Sequence, residues 1–256
     1  MQHEEIERIH TEHWRPGWGS VTVDEVLVFQ DAIREHRPKS FIEVGTASGL
    51  SGGLIALLLE ENGGQKFTTL DHDNQFFGDT TKENGFLLPL IYPDSRPVEI
   101  VRRPFTIAMD VPSLGETFDM AFVDANHQHP WPLMDTICLY PFMTGSKIVF
   151  EHDLDLYRKQ SKPVYGIGPK YLYDQLPDTH KKRAEANNGN LFQVSLDLPQ
   201  DEWERIVIQA FHLPWSLRTA IQPKRMQAFR QVLSTYYSPQ VLRSFDEAAK
   251  KFNSAV

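Results

Sequence analysis

The stretch Phe41-Ile-Glu-Val-Gly-Thr-Ala-Ser-Gly-Leu-Ser51 constrains the fold more than any other part of the chain. An apolar run from Phe41 to Val44 carries one acid, Glu43. Gly45 and Gly49 follow, with Thr46, Ser48 and Ser51 around them, and a helix-like apolar run starts at Leu50 and continues through Leu54, Ile55, Leu57 and Leu58. The pattern predicts a strand, a tight glycine turn and a helix. Glycines in such a turn let backbone N–H groups come close to a ligand, and the helix N-terminus adds its positive dipole end. The dinucleotide fingerprint G-x-G-x-x-G is not met. The order here is E-x-G-x-x-x-G-x-S, which suits a ligand with a ribose and an amino-acid tail better than a pyrophosphate.

The rest of the chain extends this unit. Strands are predicted at 40–44, 66–70, 98–101, 118–123 and 147–150, and a late strand at 191–196 paired near 180–184. Between them lie helices: one after Val23 with a stripe interrupted at Gln30 and stopped at His36-Arg-Pro38, one ending at Asn62-Gly63-Gly64, and others at 133–140 and 169–176. Strands alternating with helices mean parallel βαβ units. Residues 1–20 read as an irregular arm with Trp14 and Trp18, and 74–97 as a mixed segment rich in turn formers. In an open α/β sheet, ligands sit outside the carboxyl ends of the strands. Asp71, Asp124 and the Glu151–Asp153 cluster each close a predicted strand, so with the glycine loop they are expected around one crevice.

Composition narrows the class. The chain has 256 residues, 41% of them hydrophobic, which is enough for one α/β domain with a helical addition. Its net charge of −8 and pI near 5.7 argue against a nucleic-acid partner. The short basic run Lys181-Lys-Arg183 reads as a solvated strand end. The single cysteine, Cys138, sits in an apolar segment and reads as core; one thiol excludes an intramolecular disulfide and fits a reducing compartment. No apolar run has the length of a membrane span, and the polar, acidic start of the chain is unlike a signal peptide. The expected location is the cytoplasm. Beyond residue 200, Met226, Phe229, Val232, Leu233 and Tyr236 make one helical stripe. After Ser238-Pro239, Val241, Leu242, Phe245 and Phe252 make another, a core or homodimer face. The expected organisation is an arm at 1–22, a cofactor domain at 23–198 and a C-terminal helical extension at 199–256.

Together these motifs resemble the class I S-adenosylmethionine (SAM)-dependent methyltransferases, and most of all the small metal-dependent O-methyltransferases such as catechol O-methyltransferase. The resemblance runs from about Gly19 to about Leu198. Glu43-x-Gly45-x-x-x-Gly49-x-Ser51 resembles their first motif, and Thr69-Leu-Asp71-His-Asp73 their second, 22 residues beyond Gly49. Phe122-Val-Asp124 followed by His127 resembles the strand-four motif, and Phe150-Glu-His-Asp153 the strand-five motif.

The resemblance implies a Rossmann-like three-layer α/β sandwich with a mostly parallel seven-stranded sheet. It implies SAM as cofactor and in-line methyl transfer to a hydroxyl of a small molecule or sugar. Asp71 is then expected at the ribose, beside His72. Glu43, Gly45, Thr46, Ser48, Gly49 and Ser51 are expected around the methionine portion, closed by Ser20-Val-Thr22, and Asp124 at the cofactor ammonium or at a metal. Asp124, His152 and Asp153 are the implied metal set. Mg²⁺ suits the two carboxylates, while the imidazole moves preference toward Mn²⁺, Fe²⁺ or Zn²⁺. Glu151 is an alternative ligand.

His127 stands where the catechol enzymes have a lysine base, and a histidine there is expected to take a hydroxyl proton near neutral pH, with His129 as its competitor. The segment after strand three, Val101-Arg-Arg-Pro-Phe105, lacks the family's acidic adenine contact, and Phe105 is the substitute expected to stack on the ring. Three rivals stay open: an iron-dependent hydroxylase on this fold using His127 or His129 as a further ligand, a nicotinamide-binding Rossmann protein, and a scaffold that binds a nucleotide without turnover.

Overall fold

A computed structural model describes residues 1–18 and 21–254. The expected start of the resemblance, Gly19, and Ser20 of the expected closing segment lie outside the described residues. In chain order the elements are α1 (His3–His13), α2 (Val23–His36), β1 (Ser40–Val44), α3 (Leu50–Glu61), β2 (Lys66–Asp71), α4 (Leu88–Ile91), β3 (Glu99–Pro104), β4 (Phe118–Val123), α5 (Trp131–Leu139), β5 (Met143–Glu151), α6 (Gly168–Gln175), β6 (Lys181–Arg183), β7 (Phe192–Ser195), α7 (Gln200–Phe211), α8 (Pro223–Tyr236) and α9 (Pro239–Phe252). The seven strands form one sheet in the order β3-β2-β1-β4-β5-β7-β6. The first five pair in parallel, and β7 runs antiparallel to both β5 and β6. The chain reverses direction across the sheet between β1 and β4, the place where such folds open a ligand crevice.

Period-two alternation sorts the strands onto two faces. Phe41, Phe67, Met120, Phe122, Ile148 and Phe150 point to the layer of α1, α2 and α3. Ile42, Val44, Ala121, Val123, Val149 and Phe192 point to the layer of α5 and the C-terminal helices. The aromatic rings Phe122 and Phe150 meet Phe29 of α2 edge-on at 5.0 and 4.9 Å between centroids, a geometry that adds to their area burial.

One expectation is corrected here. Residues 3–13 are a helix, not an irregular arm: Ile6 and Ile9 are one turn apart and buried, Glu4 and Glu5 lie in the first turn and His10 and His13 in the last, as the helix dipole favours. The residues after 198 share one core with the sheet. Trp203, Phe211, Phe229 and Phe245 are buried among Leu133, Ile137 and Phe192, so the predicted aromatic stripe is spent inside the chain. Gln30, which breaks the apolar stripe of α2, is buried and donates to the carbonyl of Met1 at 2.7 Å. Lys181-Lys-Arg183 is the edge strand β6, and Cys138 is buried core. No helix among the described residues is long and apolar enough to cross a membrane.

Candidate active site

At the carboxyl edge of the sheet a crevice of about 710 Å³ opens over β1, β2 and β4. Its floor includes Gly45, Ala47, Asp71, His72, Asp124, Asn126 and His127. Gly45 has φ +106°, and a Cβ there would run into the carbonyl oxygen of Asp124, so only glycine lets β1 end this close to β4. Asp71 ties the turn to β2: its Oδ2 accepts from the backbone N–H of Thr46 at 3.1 Å and of Ala47 at 3.2 Å. His72 lies 3.2 Å from Asp71. That hydrogen bond, more than any other influence, raises the imidazole above its ordinary pKa.

The other half of the glycine motif faces away. Glu43 follows Phe41 by two residues, so it shares Phe41's face of the sheet and looks toward α3. It is fully buried, accepts from Ser51 Oγ and Thr69 Oγ1 at 2.6 Å each, and is absent from the crevice wall. Burial pushes its carboxyl up to about 8 against those two hydrogen bonds. Thr46 Oγ1 joins the same network at 2.7 Å from Thr69 Oγ1. Gly49 is covered by the loop before α4, where an added Cβ would lie 2.8 Å from Gly85 Cα. Leu87 N–H donates to the carbonyl of Ser48 at 3.0 Å. The structure therefore brings Gly45, Asp71, His72, Asp124 and His127 to the crevice. It places Glu43, Thr46, Ser48, Gly49 and Ser51 behind the turn, where they order it.

Beyond Asp124 the strand ends build a charged cluster. His127 Nε2 lies 3.1 Å from Asp124 and 3.4 Å from Asp153. His152 Nδ1 lies 3.3 Å from the same Asp124 oxygen and 3.6 Å from Asp153. Asp153 is held in the left-handed region, φ 61°, and accepts from Asn190 Nδ2 at 2.9 Å. Burial alone would raise Asp124, but the charge of His152 and the hydrogen bond of His127 outweigh it and hold the carboxylate well below its usual range. Burial would likewise lower both imidazoles. The hydrogen bond and charge of Asp124 win at His127, and the charge of Asp124 leads at His152, so both are raised.

His129 does not compete. It is buried, its Nε2 lies 3.1 Å from the carbonyl of Ala210, and burial pushes it down to about 3. Glu151 is buried, accepts from Thr136 Oγ1 at 2.7 Å and stands apart from the Asp124, His152 and Asp153 group. Phe105 is exposed and outside the crevice; Thr106 and Ile107 line the wall in its place. Trp14 and Trp18 are also outside it. Trp18 packs edge-on against Phe76 and Phe86, and Phe76 and Phe77, from the mixed 74–97 segment, line the crevice.

Sequence reading missed Trp131, Asp135, Arg218 and Glu25. Asp135 lines the crevice, is 96% buried and is pushed up to about 8 by burial. A signal existed: the one charged residue of a mostly apolar helix, one turn beyond Trp131. The peptide of Arg218 is fixed to Gln128, and its guanidinium sits 4.7 Å over the ring of Tyr165. It comes from the C-terminal part of the chain, which no local pattern links to β4.

The geometry has recognisable counterparts. Residues 42–154 match the model of a family described as a methyltransferase domain. No curated protein matches the chain. Among solved structures, the O-methyltransferase TomG from Streptomyces achromogenes, involved in tomaymycin synthesis and solved with SAM, is 18% identical. It matches with a TM-score of 0.52 over 75% of this chain and 88% of its own. The SAH-bound methyltransferase PaMTH1 from Podospora anserina is 16% identical, with a TM-score of 0.51 over 75% of this chain and 86% of its own. Residues 42–154 are thus similar to a methyltransferase domain, and the chain shares the fold of these two structures.

Proposed function

We propose that the protein is a SAM-dependent O-methyltransferase acting on a hydroxyl of a small molecule or sugar, with a divalent metal at the strand ends. The observation that carries this is a single crevice holding Gly45, Asp71, Asp124 and His127 at the edge where β1, β2 and β4 end. Its volume is in the range of small-ligand sites, and the wall mixes apolar surface with a few polar groups. SAM supplies an electrophilic methyl group. Asp71 would hold its ribose hydroxyls, since a carboxylate accepts two hydrogen bonds side by side. Gly45 and Ala47 give backbone approach to the amino-acid tail.

The donor set fits a metal. Asp124, His152 and Asp153 each turn one ligand atom to a common point, within 4.8 Å of one another. His152 Nδ1 is buried without a hydrogen-bond partner among the described residues. One imidazole with two carboxylates favours Mn²⁺ or Fe²⁺ over Mg²⁺. A cation held by these residues would supply a Lewis acid to lower the pKa of an acceptor hydroxyl. His127, on the crevice side of the cluster, takes the hydroxyl proton once it is neutral. Because Asp124 and Asp153 raise its pKa, that condition is met at a higher pH than for an ordinary histidine. Trp131 and the crevice walls orient the acceptor, and orientation supplies much of the rate in a displacement.

Calorimetric titration of chelator-treated protein with SAM tests the reading. Binding should be measurable in the native protein and about 10- to 100-fold weaker in Asp71→Ala, the worth of hydrogen bonds to a charged group. No binding with or without Mn²⁺ would remove the methyltransferase reading. Two imidazoles on the same two carboxylates favour one second reading, the iron-dependent hydroxylase. Oxygen consumption with Fe²⁺ and no methyl transfer would select it.

A further inference from the structure

His152 has a second partner that no strand-end motif contains. Glu25 sits in the first turn of α2, 127 residues away in the chain, and its Oε1 lies 3.1 Å from His152 Nε2. Glu25 is fully buried, His152 nearly so. Four donors converge on this one carboxylate. Oε2 takes the backbone N–H of Thr22 at 2.7 Å and its hydroxyl at 3.1 Å. Oε1 takes Asn187 Nδ2 at 3.1 Å and the imidazole. An ionised carboxylate accepts and never donates. Nε2 of His152 therefore carries the hydrogen, and in the neutral ring the lone pair is on Nδ1. That is the buried atom with no hydrogen-bond partner, facing Asp124 and Asp153.

His127 is built differently. Its Nε2 faces the same two carboxylates, but no residue among those described makes a hydrogen bond to its Nδ1. The ring with a carboxylate at its back is oriented as a ligand; the ring without one is left to exchange a proton. A histidine that binds a metal commonly gives its other N–H to a carboxylate, which fixes the ring and raises its basicity.

We propose that Glu25 is the positioning residue of the metal site: it locks His152 with Nδ1 toward the cation and so links the start of α2 to metal affinity. The proposal rests on the metal reading above. The N-cap Thr22 and Glu25 form a capping box, the Thr22 hydroxyl taking the N–H of Glu25. The helix start and the ligand's back are thus one hydrogen-bonded unit.

The test is a Mn²⁺ titration of the full-length, chelator-treated protein, with free Mn²⁺ followed by electron paramagnetic resonance. Glu25→Gln keeps the size but loses the charge and one of the two acceptor oxygens, so its single carbonyl serves either the Thr22 N–H or the His152 Nε2–H. Glu25→Leu removes the acceptor. The expected result is Mn²⁺ affinity falling about tenfold in Glu25→Gln and toward 100-fold in Glu25→Leu. Metal-free Glu25→Gln should still melt cooperatively, and the imidazole nitrogen coupling in the spin-echo spectrum of bound Mn²⁺ should weaken in Glu25→Leu. Native affinity in a folded Glu25→Gln with unchanged nitrogen coupling would overturn the proposal, while loss of binding in Asp124→Asn would leave the metal site standing. No Mn²⁺ binding by the native protein, or binding indifferent to Asp124→Asn, would overturn both.

Discussion

Glu43 and His127 are both ionisable residues at strand ends, and the fold gives them opposite settings. Glu43 is an acid whose folded pKa, about 8, lies far above its ordinary value near 4.3. The folded state then holds the proton more tightly than the unfolded chain. The stabilisation is complete below the ordinary value and is lost as pH rises through about 8. Glu43→Gln mimics the protonated acid, so its melting temperature should match the native protein near pH 5 and exceed it near pH 9. A native curve parallel to that of the variant would show that Glu43 is not held protonated. His127 should give the reaction its basic limb. The rate is expected to rise with pH through a value above 6.5, and His127→Gln should flatten that rise and lower kcat about 100-fold, the usual worth of a positioned base. A pH–rate profile of the two proteins on the same acceptor decides it.

At the scale of elements, the turn between β1 and α3 does two jobs on two faces. Gly45 and Ala47 meet the crevice, while Glu43, Ser51 and Thr69 hold the turn from behind. A side chain at Gly45 has no room, because its Cβ meets the Asp124 carbonyl. Gly45→Ala should cost about 1–3 kcal/mol in chemical denaturation, the range of overpacked sites, and should weaken SAM binding with it. Normal affinity in a destabilised variant would separate the turn's packing from the cofactor site. The turn was legible in the sequence because its signal is local: a short apolar run, then a glycine loop, then a helix-like apolar run. Its division into a ligand side and a structural side was not, because that depends on which face of the sheet Glu43 shares with Phe41.

For the molecule as a whole, the C-terminal helices are part of the core, and the connection between α7 and α8 lines the crevice. Trp203, Phe211 and Phe245 are buried with sheet residues, and Arg218 and Ile221 line the crevice. A chain ending at residue 198 would expose that apolar surface. It is expected to be insoluble or to lack a cooperative thermal transition, as seen by circular dichroism. A soluble, cooperatively melting product would mean that 23–198 is a domain in its own right. The same sharing explains why the aromatic stripes of α8 and α9 read equally well as core or as a dimer face: periodicity states that a face is covered, not by what.

The sequence by itself determined the elements whose signals are local. The parallel strands, the glycine turn and the acids that close β2, β4 and β5 follow from spacing, and with them the α/β class and the sheet edge that holds the crevice, while the seven-stranded sheet came with the family resemblance. Tertiary structure decided what each acid and imidazole does there. Glu25 and His152 stand 127 residues apart, His129 is drawn into the core by Ala210, and His127, two residues earlier, is left at the crevice. The difference is physical. Strand and helix periods are set by backbone geometry within a few residues, whereas burial and charge pairing are set by which distant segments the sheet order brings together, and only these fix an ionisable group's protonation and direction.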